Sequence, residues 1–472
     1  MNKAVVRIEN VEILNFKNVS YGFLDFENTR KPFKSSVLGL YGQNGSGKTA
    51  LIDALSLLKL TLSGKPVPAY FADYVNVDAS SATLKFNFKV QIKEKKAEYR
   101  ASYEFSIRKD IDESLQNISQ NDVTSEKHKA TIFDEVFSCS YVSGEEKIKK
   151  GALVDTRTDE DEVFLPESKY KVLVGTGKKK KTDLLTAKLL ASATSRTFAF
   201  SPELLNSIRQ NCKEQRHLDL YEALVWFGNY ELFVINTTNS GLISMNALPL
   251  SFKYNENGKA AIGSLMIKLN GTSLVPEEAL GVVKSVVANM NVVLTQLIPG
   301  LTISVRELGA ELSKSGGTNA RIQLMSHKNN MEIPLQYESE GIKKIISILQ
   351  LLIVVYNMNS ITVAIDELDS GVFEYLLGEL LRIISEKGKG QLIFTSHNLR
   401  PLETLDKGFI AFTTTNPGNR YIRLKDIKTN NNLRDFYYRD IVLGEQDETV
   451  YEPTNNYEIA LAFREAGEYS GA

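Results

Sequence analysis

Residues 42–49, GQNGSGKT, put three glycines, small polar side chains, a lysine and a threonine into one short turn. Gly42, Gly45 and Gly47 let backbone N–H groups face inward around an anion without a Cβ in the way, and Asn44 and Ser46 complete the loop. Lys48 is long enough to reach the outer phosphates of a nucleotide, and the Thr49 hydroxyl suits Mg²⁺. The apolar run VLGLY before the turn and ALIDAL after it supply the strand and helix that this chemistry needs, the helix adding its positive end. The competing reading, a plain strand–helix turn with a chance lysine, lacks a reason for the full spacing. Nucleotide binding, with Mg²⁺ as its companion ion, is the expectation.

A second group lies far along the chain. ITVAIDELDSG ends an apolar strand in adjacent acids, Asp366 and Glu367. The first could hold Mg²⁺ and the second could polarise an attacking water. Asp369 belongs to the turn that follows. QLIFTSHN ends another apolar strand in His397, placed to meet a terminal phosphate or the water. Ser339 and Gly341 open the helix GIKKIISILQLLIVV, where free backbone N–H groups can bind an anion, although Ser339 would serve there as an N-cap in any case.

The elements that must carry these groups are legible from pattern. RIENVEILNFKNVSYGFLDF alternates as half-buried antiparallel strands do. TLKFNFKVQI, AEYRASYEFSI and DEVFSCSYV read as a strand-rich lobe between about 61 and 200. KKKK, Lys178–Lys181, reads as part of a polar stretch leading to a helical segment near 200–228. YELFVINT is a strand, and VPEEALGVVKSVVANMNVVLTQLIPG predicts a helix from about 276 to 298. After 337 the pattern is helix, strand, helix, strand, with VAI and LIF as parallel strands covered on both faces. No run of heptads and no internal repeat is seen.

The chain has 472 residues, 43% of them hydrophobic, enough for two or three compact units. Lys+Arg 56 against Asp+Glu 57 gives a net charge of −1, so no overall basic excess points to nucleic acid or an anionic membrane. Two cysteines cannot build a disulfide framework or a four-ligand zinc site. MNKAVVRIEN does not read as a secretory leader, and IISILQLLIVV is too short to span a bilayer. The expectation is a soluble, cytoplasmic protein with no membrane partner.

Taken in chain order, the phosphate turn, the Ser-x-Gly helix start, the acid pair with its Asp369 turn and the histidine resemble an ABC-type ATPase head. The NFKN opening narrows the likeness to the SMC-like and RecF-like branch. The resemblance covers roughly residues 1–60 and 335–415. It implies an α/β P-loop NTPase fold: an ATPase head with a strand-rich inserted lobe and no long coiled coil. The corresponding division is 1–60 for the first part of the head and 61–335 for inserted lobes. Residues 336–430 complete the head and 431–472 form a tail for partner docking. It also implies ATP hydrolysis by a homo-oligomer of at least two copies, in which Lys48 and Glu367 of one face Ser339 and Gly341 of the other across ATP. The sequence ESEGIKK departs from the commoner L-S-G-G-Q form by placing Glu340 beside the expected phosphate. Lys17, in NFKN, is either a nucleotide contact or a surface lysine.

Only about 75 residues follow His397, too few for a fused nuclease domain with its own carboxylate cluster. The leading expectation is therefore the ATPase subunit of a two-component anti-phage system, resembling those of Septu-type and PARIS-type systems. There the effector, a nuclease, is a separate polypeptide, with DNA or a phage protein as trigger. DFYYRD, residues 435–440, or the tail beyond is the expected docking site. The alternatives are a RecF-like DNA clamp, in which Lys178–Lys181 contact phosphates, and a signalling ATPase with no nucleic-acid role.

Overall fold

The computed structural model describes residues 4–27, 36–111, 128–236, 247–256, 259–312, 317–329, 331–424, 432–444 and 446–469. Its centre is a six-stranded sheet formed by β3 (Ser36–Tyr41), β8 (Leu232–Ile235), β15 (Thr362–Ile365), β16 (Gln391–Thr395), β17 (Ile410–Thr413) and β18 (Tyr421–Ile422). The order is β18-β17-β3-β16-β15-β8, parallel except for β18. Such strands need apolar residues on both faces, and β3 shows why VLGLY reads as it does. Leu38 and Leu40 enter one core while Val37 and Tyr41 enter the other.

The first core is closed by α1 (Lys48–Leu62) and by a second, wholly antiparallel sheet. That sheet has β1 (Ala4–Phe16), β2 (Val19–Asp25), β4 (Ala82–Ile92), β5 (Ala97–Ile111), β6 (His128–Ser143) and β7 (Glu146–Asp155), in the order β2-β1-β4-β5-β6-β7. β4 alternates without a break between buried and half-buried residues, with Phe86 and Phe88 inward. α1 lies between the two sheets, with 13 residues buried, which explains a helix apolar almost all round. The strands between 82 and 155 thus continue the sheet begun by β1 and β2, and β8 lies in the parallel sheet. The sequence divisions at 61 and 335 cut across both.

Beyond β7 come α2 (Glu167–Leu173), α3 (Lys178–Ala193), α4 (Pro202–Asn211) and α5 (Gln215–Trp226). The tetralysine is therefore the first turn of a helix, a correction to the polar-loop expectation. Lysine is a good helix former, and Lys180 is tied down by Asn211. The segment near 200–228 is two helices, α4 starting at Pro202 behind the N-cap Ser201.

The other face of the parallel sheet is covered by α6 (Glu277–Leu297), α7 (Glu340–Asn357), α8 (Glu374–Lys387) and α9 (Arg400–Thr404). α6 packs Val283, Val287, Met290 and Leu294 toward a small sheet of β11 (Thr272–Pro276), β12 (Thr302–Leu312), β13 (Thr318–Lys328) and β14 (Met331–Pro334). By length and composition α6 is the one described helix that could cross a bilayer, with mean hydropathy 1.3, and only 22% of that apolar stretch is buried. The strands β9 (Ala247–Glu256) and β10 (Lys259–Lys268) form a separate hairpin. α10 (Leu433–Leu443) stacks Tyr437 on Phe412 of β17 at 4.7 Å, and α11 (Asn456–Tyr469) follows. Among the described residues no helix exceeds the 21 residues of α6, so none is a long coiled-coil arm.

Candidate functional site

Strands β3, β15 and β16 end on the same edge of the parallel sheet, and their following residues meet there. A cavity of about 400 Å³ is lined by Asn44, Gly45, Gly47, Lys48 and Thr49 from the turn, Asp366 and Glu367 after β15, and His397 after β16. Lys17 and Asn18, in the β1–β2 turn, close another side. Gly42 lies round the corner in an adjoining cavity of about 340 Å³ with Gln43, His397, Tyr437 and Tyr451.

The turn is built for backbone approach. Gly42 has φ 152°, and a Cβ there would lie 1.8 Å from Thr413 Oγ1; Gly47, at φ 94°, precedes α1 with no side-chain cap. The first N–H groups of α1 therefore face the cavity without competition from a capping oxygen, as anion binding requires. Ser46 is buried and holds the loop shape, its hydroxyl bonded to the Gln43 carbonyl at 2.5 Å and to Thr413. Lys48 Nζ donates to the carbonyls of Gly42 at 2.8 Å and Gln43 at 2.9 Å. Burial lowers its pKa to about 8, against the opposing pull of Asp366, Glu367 and Asp369. A phosphate would both compete for that ammonium and favour its charge.

The acids are held differently. Asp366 is 1% exposed and accepts from the Thr395 hydroxyl at 2.6 Å. Glu367 has φ 47°, a left-handed conformation that costs a non-glycine residue about 1–2 kcal/mol. Its N–H is bound by Thr395 Oγ1 at 2.8 Å, and its carbonyl accepts from Lys344 Nζ at 3.2 Å and from the Ser370 N–H at 3.1 Å. Strain held by that many partners is expected at a working site. Asp369 faces the opposite way, its Oδ2 accepting the backbone N–H groups of His397 at 3.1 Å and Asn398 at 2.9 Å. It thereby fixes the histidine loop instead of lining the cavity. His397 is exposed, and partial burial followed by the Lys48 charge lowers its pKa, favouring the neutral imidazole.

Thr49 and Asp366 supply hard oxygen donors that fit Mg²⁺. Among the described residues no three His, Cys, Asp or Glu converge to hold a metal, so Thr49 and Asp366 would share such an ion with phosphate and water.

Ser339 and Gly341 do not line this cavity. Ser339 is exposed and caps α7, accepting from the Ile342 N–H at 3.4 Å. Glu340 pairs with Lys343 at 2.6 Å, which offsets its charge at the helix end. Gly341 packs on its own chain: a Cβ there would lie 2.5 Å from the Gly371 carbonyl oxygen.

Several residues that matter here were not singled out from sequence. Asp53 is 1% exposed, one turn beyond Thr49, where it binds Lys17 and the Asn236 amide. Lys17 also sits 4.1 Å over the Tyr74 ring, so it is a fixed wall of the cavity and not a loose surface lysine. A lone Asp in the apolar helix ALIDALSLL was the available signal. Thr395 and Lys344 gave none, because their partners lie on other elements.

The glycine turn between β3 and α1, set at the end of a parallel sheet whose other strands bring in the acid pair, makes this an α/β fold of the P-loop NTPase kind. Residues 10–222, just under half of the chain, match the AAA domain family model. The matching segment holds the phosphate turn, while the acid pair and His397 come from the later half. No curated protein matches the sequence. Among solved structures, the SMC head domain from Thermotoga maritima is 13% identical, covering 89% of this chain and 100% of that one with a TM-score of 0.34. An Smc head with a coiled coil and joint from Pyrococcus yayanosii is 10% identical, over 89% and 97%, at 0.37. The recombination mediator protein RecF is 13% identical, over 89% and 98%, at 0.36.

Proposed function

We propose that this chain hydrolyses ATP as a pair of heads and thereby controls a separately encoded nuclease effector in anti-phage defence. The observation that carries the ATPase reading is the cavity in which Lys48, Thr49, Asp366, Glu367 and His397 converge. Lys48 and the start of α1 hold the phosphates, and Thr49 and Asp366 hold Mg²⁺. Glu367 takes the proton of the attacking water, and neutral His397 orients the terminal phosphate or that water.

Pairing is supported by the position of Ser339, exposed at the start of α7 and outside its own chain's cavity. A second copy would bring that helix end to the open face of the site. ATP held only by the closed pair stabilises it by RT ln(1 + [L]/Kd), about 2.7 kcal/mol at a hundredfold excess. The effector reading draws on the sequence resemblance and on α11, whose side chains from 456 to 467 are all exposed, including Ile459 and Phe463. Within DFYYRD, by contrast, Phe436 and Tyr437 finish the core and Tyr438 and Arg439 face outward.

Glu367→Gln is expected to bind Mg-ATP and elute as a stable pair, while Lys48→Ala stays unpaired. A wild type that remains a nucleotide-insensitive monomer and captures no protein encoded beside it would sink this proposal. The RecF-like reading draws on Lys178, Lys179 and Lys181, exposed along the first turn of α3. Tight, steeply salt-dependent binding of duplex DNA by the protein alone would favour that clamp.

A further inference from the structure

We propose that Lys344 is a positioning residue that ties the start of α7 to Glu367, so that an anion taken up at Ser339–Gly341 alters the aim of the acid in the same chain's cavity. The inference rests on the proposed pairing of two copies and on reading Glu367 as the group that activates water.

Lys344 lies on the second turn of α7, with only 3% of it exposed, and its Nζ donates to the Glu367 carbonyl at 3.2 Å. The peptide units on both sides of Glu367 are otherwise pinned by Thr395, Leu368 and Ser370, which belong to β16 or to the turn itself. Thr395 Oγ1 accepts the Glu367 N–H, the Thr395 carbonyl accepts the Leu368 N–H at 3.0 Å, and Ser370 closes the turn. Lys344 brings in a different element. Gly341, three residues earlier on the same helix face, presses its backbone against Gly371 at the far end of that turn. Gly371 has φ 74°, and its own Cβ would meet Gly341 Cα at 3.7 Å. The first turns of α7 therefore grip residues 367–371 at both ends. A displacement of these first turns on binding an anion would reach the turn by two routes, a hydrogen bond to Glu367 and backbone packing on Gly371.

The chemistry suits a strut. A buried ammonium is costly, and burial lowers Lys344 to about 8, while Asp369, Glu367 and Asp366 favour its charge. In a closed pair, each chain's α7 would sense the other's nucleotide and report it to its own Glu367. The two sites would then be linked without a separate relay.

The test is a cycle of Lys344→Met, which keeps the aliphatic stem, with Glu367→Gln. Lys344→Met is expected to bind trinitrophenyl-ATP within about twofold of wild type, to lose about tenfold or more in kcat with KM little changed, and to add no further loss in the Glu367→Gln background. An unchanged kcat, or losses that multiply in the double variant, would overturn the proposal. Wild-type turnover in Glu367→Gln alone would instead remove the reading beneath it. Should Lys344→Met not fold, hydrogen exchange on the wild type decides. A non-hydrolysable ATP analogue is expected to protect 339–345 and 366–371 together, and protection of the first without the second overturns the link.

Discussion

Thr395 donates its hydroxyl hydrogen to Asp366 Oδ1 at 2.6 Å, and the same oxygen accepts the N–H of Glu367 at 2.8 Å. One side chain on β16 thus sets both the carboxylate suited to Mg²⁺ and the strained peptide of the adjacent acid. Thr395→Val keeps the shape but leaves two buried polar groups without that partner, a loss of about 1–3 kcal/mol each. The expected outcome is a lower melting temperature together with a higher Mg²⁺ requirement for turnover, both largely restored in Thr395→Ser. Calorimetry and a Mg²⁺ titration check this.

The depressed Lys48 pKa gives nucleotide affinity a pH dependence of definite sign. In the free protein the ammonium loses its proton near pH 8, because burial disfavours the charge. Bound phosphate favours the charged form, so binding takes up a proton above that pH. The Kd for ATP is expected to be flat below pH 8 and then to weaken by up to about tenfold per pH unit. Fluorescent-nucleotide titrations from pH 7 to 9.5 measure it, and Lys48→Ala should bind weakly with no such slope.

Gly42 and Gly45 separate contact from conformation in one loop. An alanine Cβ at Gly42 would strike Thr413 Oγ1 at 1.8 Å, whereas at Gly45 it meets open space and only the φ of 77° resists it. Gly45→Ala should therefore cost about 1 kcal/mol and Gly42→Ala about 3 kcal/mol. Thermal unfolding gives the ranking, and equal shifts would contradict the packing of Gly42 on β17.

Removing residues 456–472 should leave the fold intact. Side chains 456–467 of α11 are exposed, and exposed substitutions or deletions away from special contacts move stability by about 0.5 kcal/mol or less. The truncated protein is expected to melt within about 2 °C of the full chain and to turn over ATP at the same rate. Under the proposed function it no longer captures the effector, which a co-purification from paired open reading frames reports.

Much of this site could be read from sequence because its residues follow short apolar strands: VLGLY into Gly42, VAI into Asp366, LIF into His397. Strand burial forces those patterns, and the parallel sheet lines up their ends. Pairing partners are less legible. The alternation in TLKFNFKVQI announces a strand but not that Lys85 lies opposite Glu12 of β1, since register is decided by tertiary packing. The tetralysine reads as polar surface chain because four adjacent charges mask the good helix propensity of lysine. Lys344 was hidden for another reason: a lysine in the helix GIKKIISIL is ordinary until the fold buries it against Glu367.

The contact between Ser46 and Thr413 joins positions 367 residues apart, and Tyr421 reaches back across 374 to the Gly47 carbonyl. The phosphate cradle is thus written early and braced late. During synthesis the ribosome must deliver β17 and β18 before the glycine turn acquires its backing, so a nascent chain halted before Thr413 would expose the motif without the grip. Completion of the chain and completion of the anion cradle thus become nearly the same event.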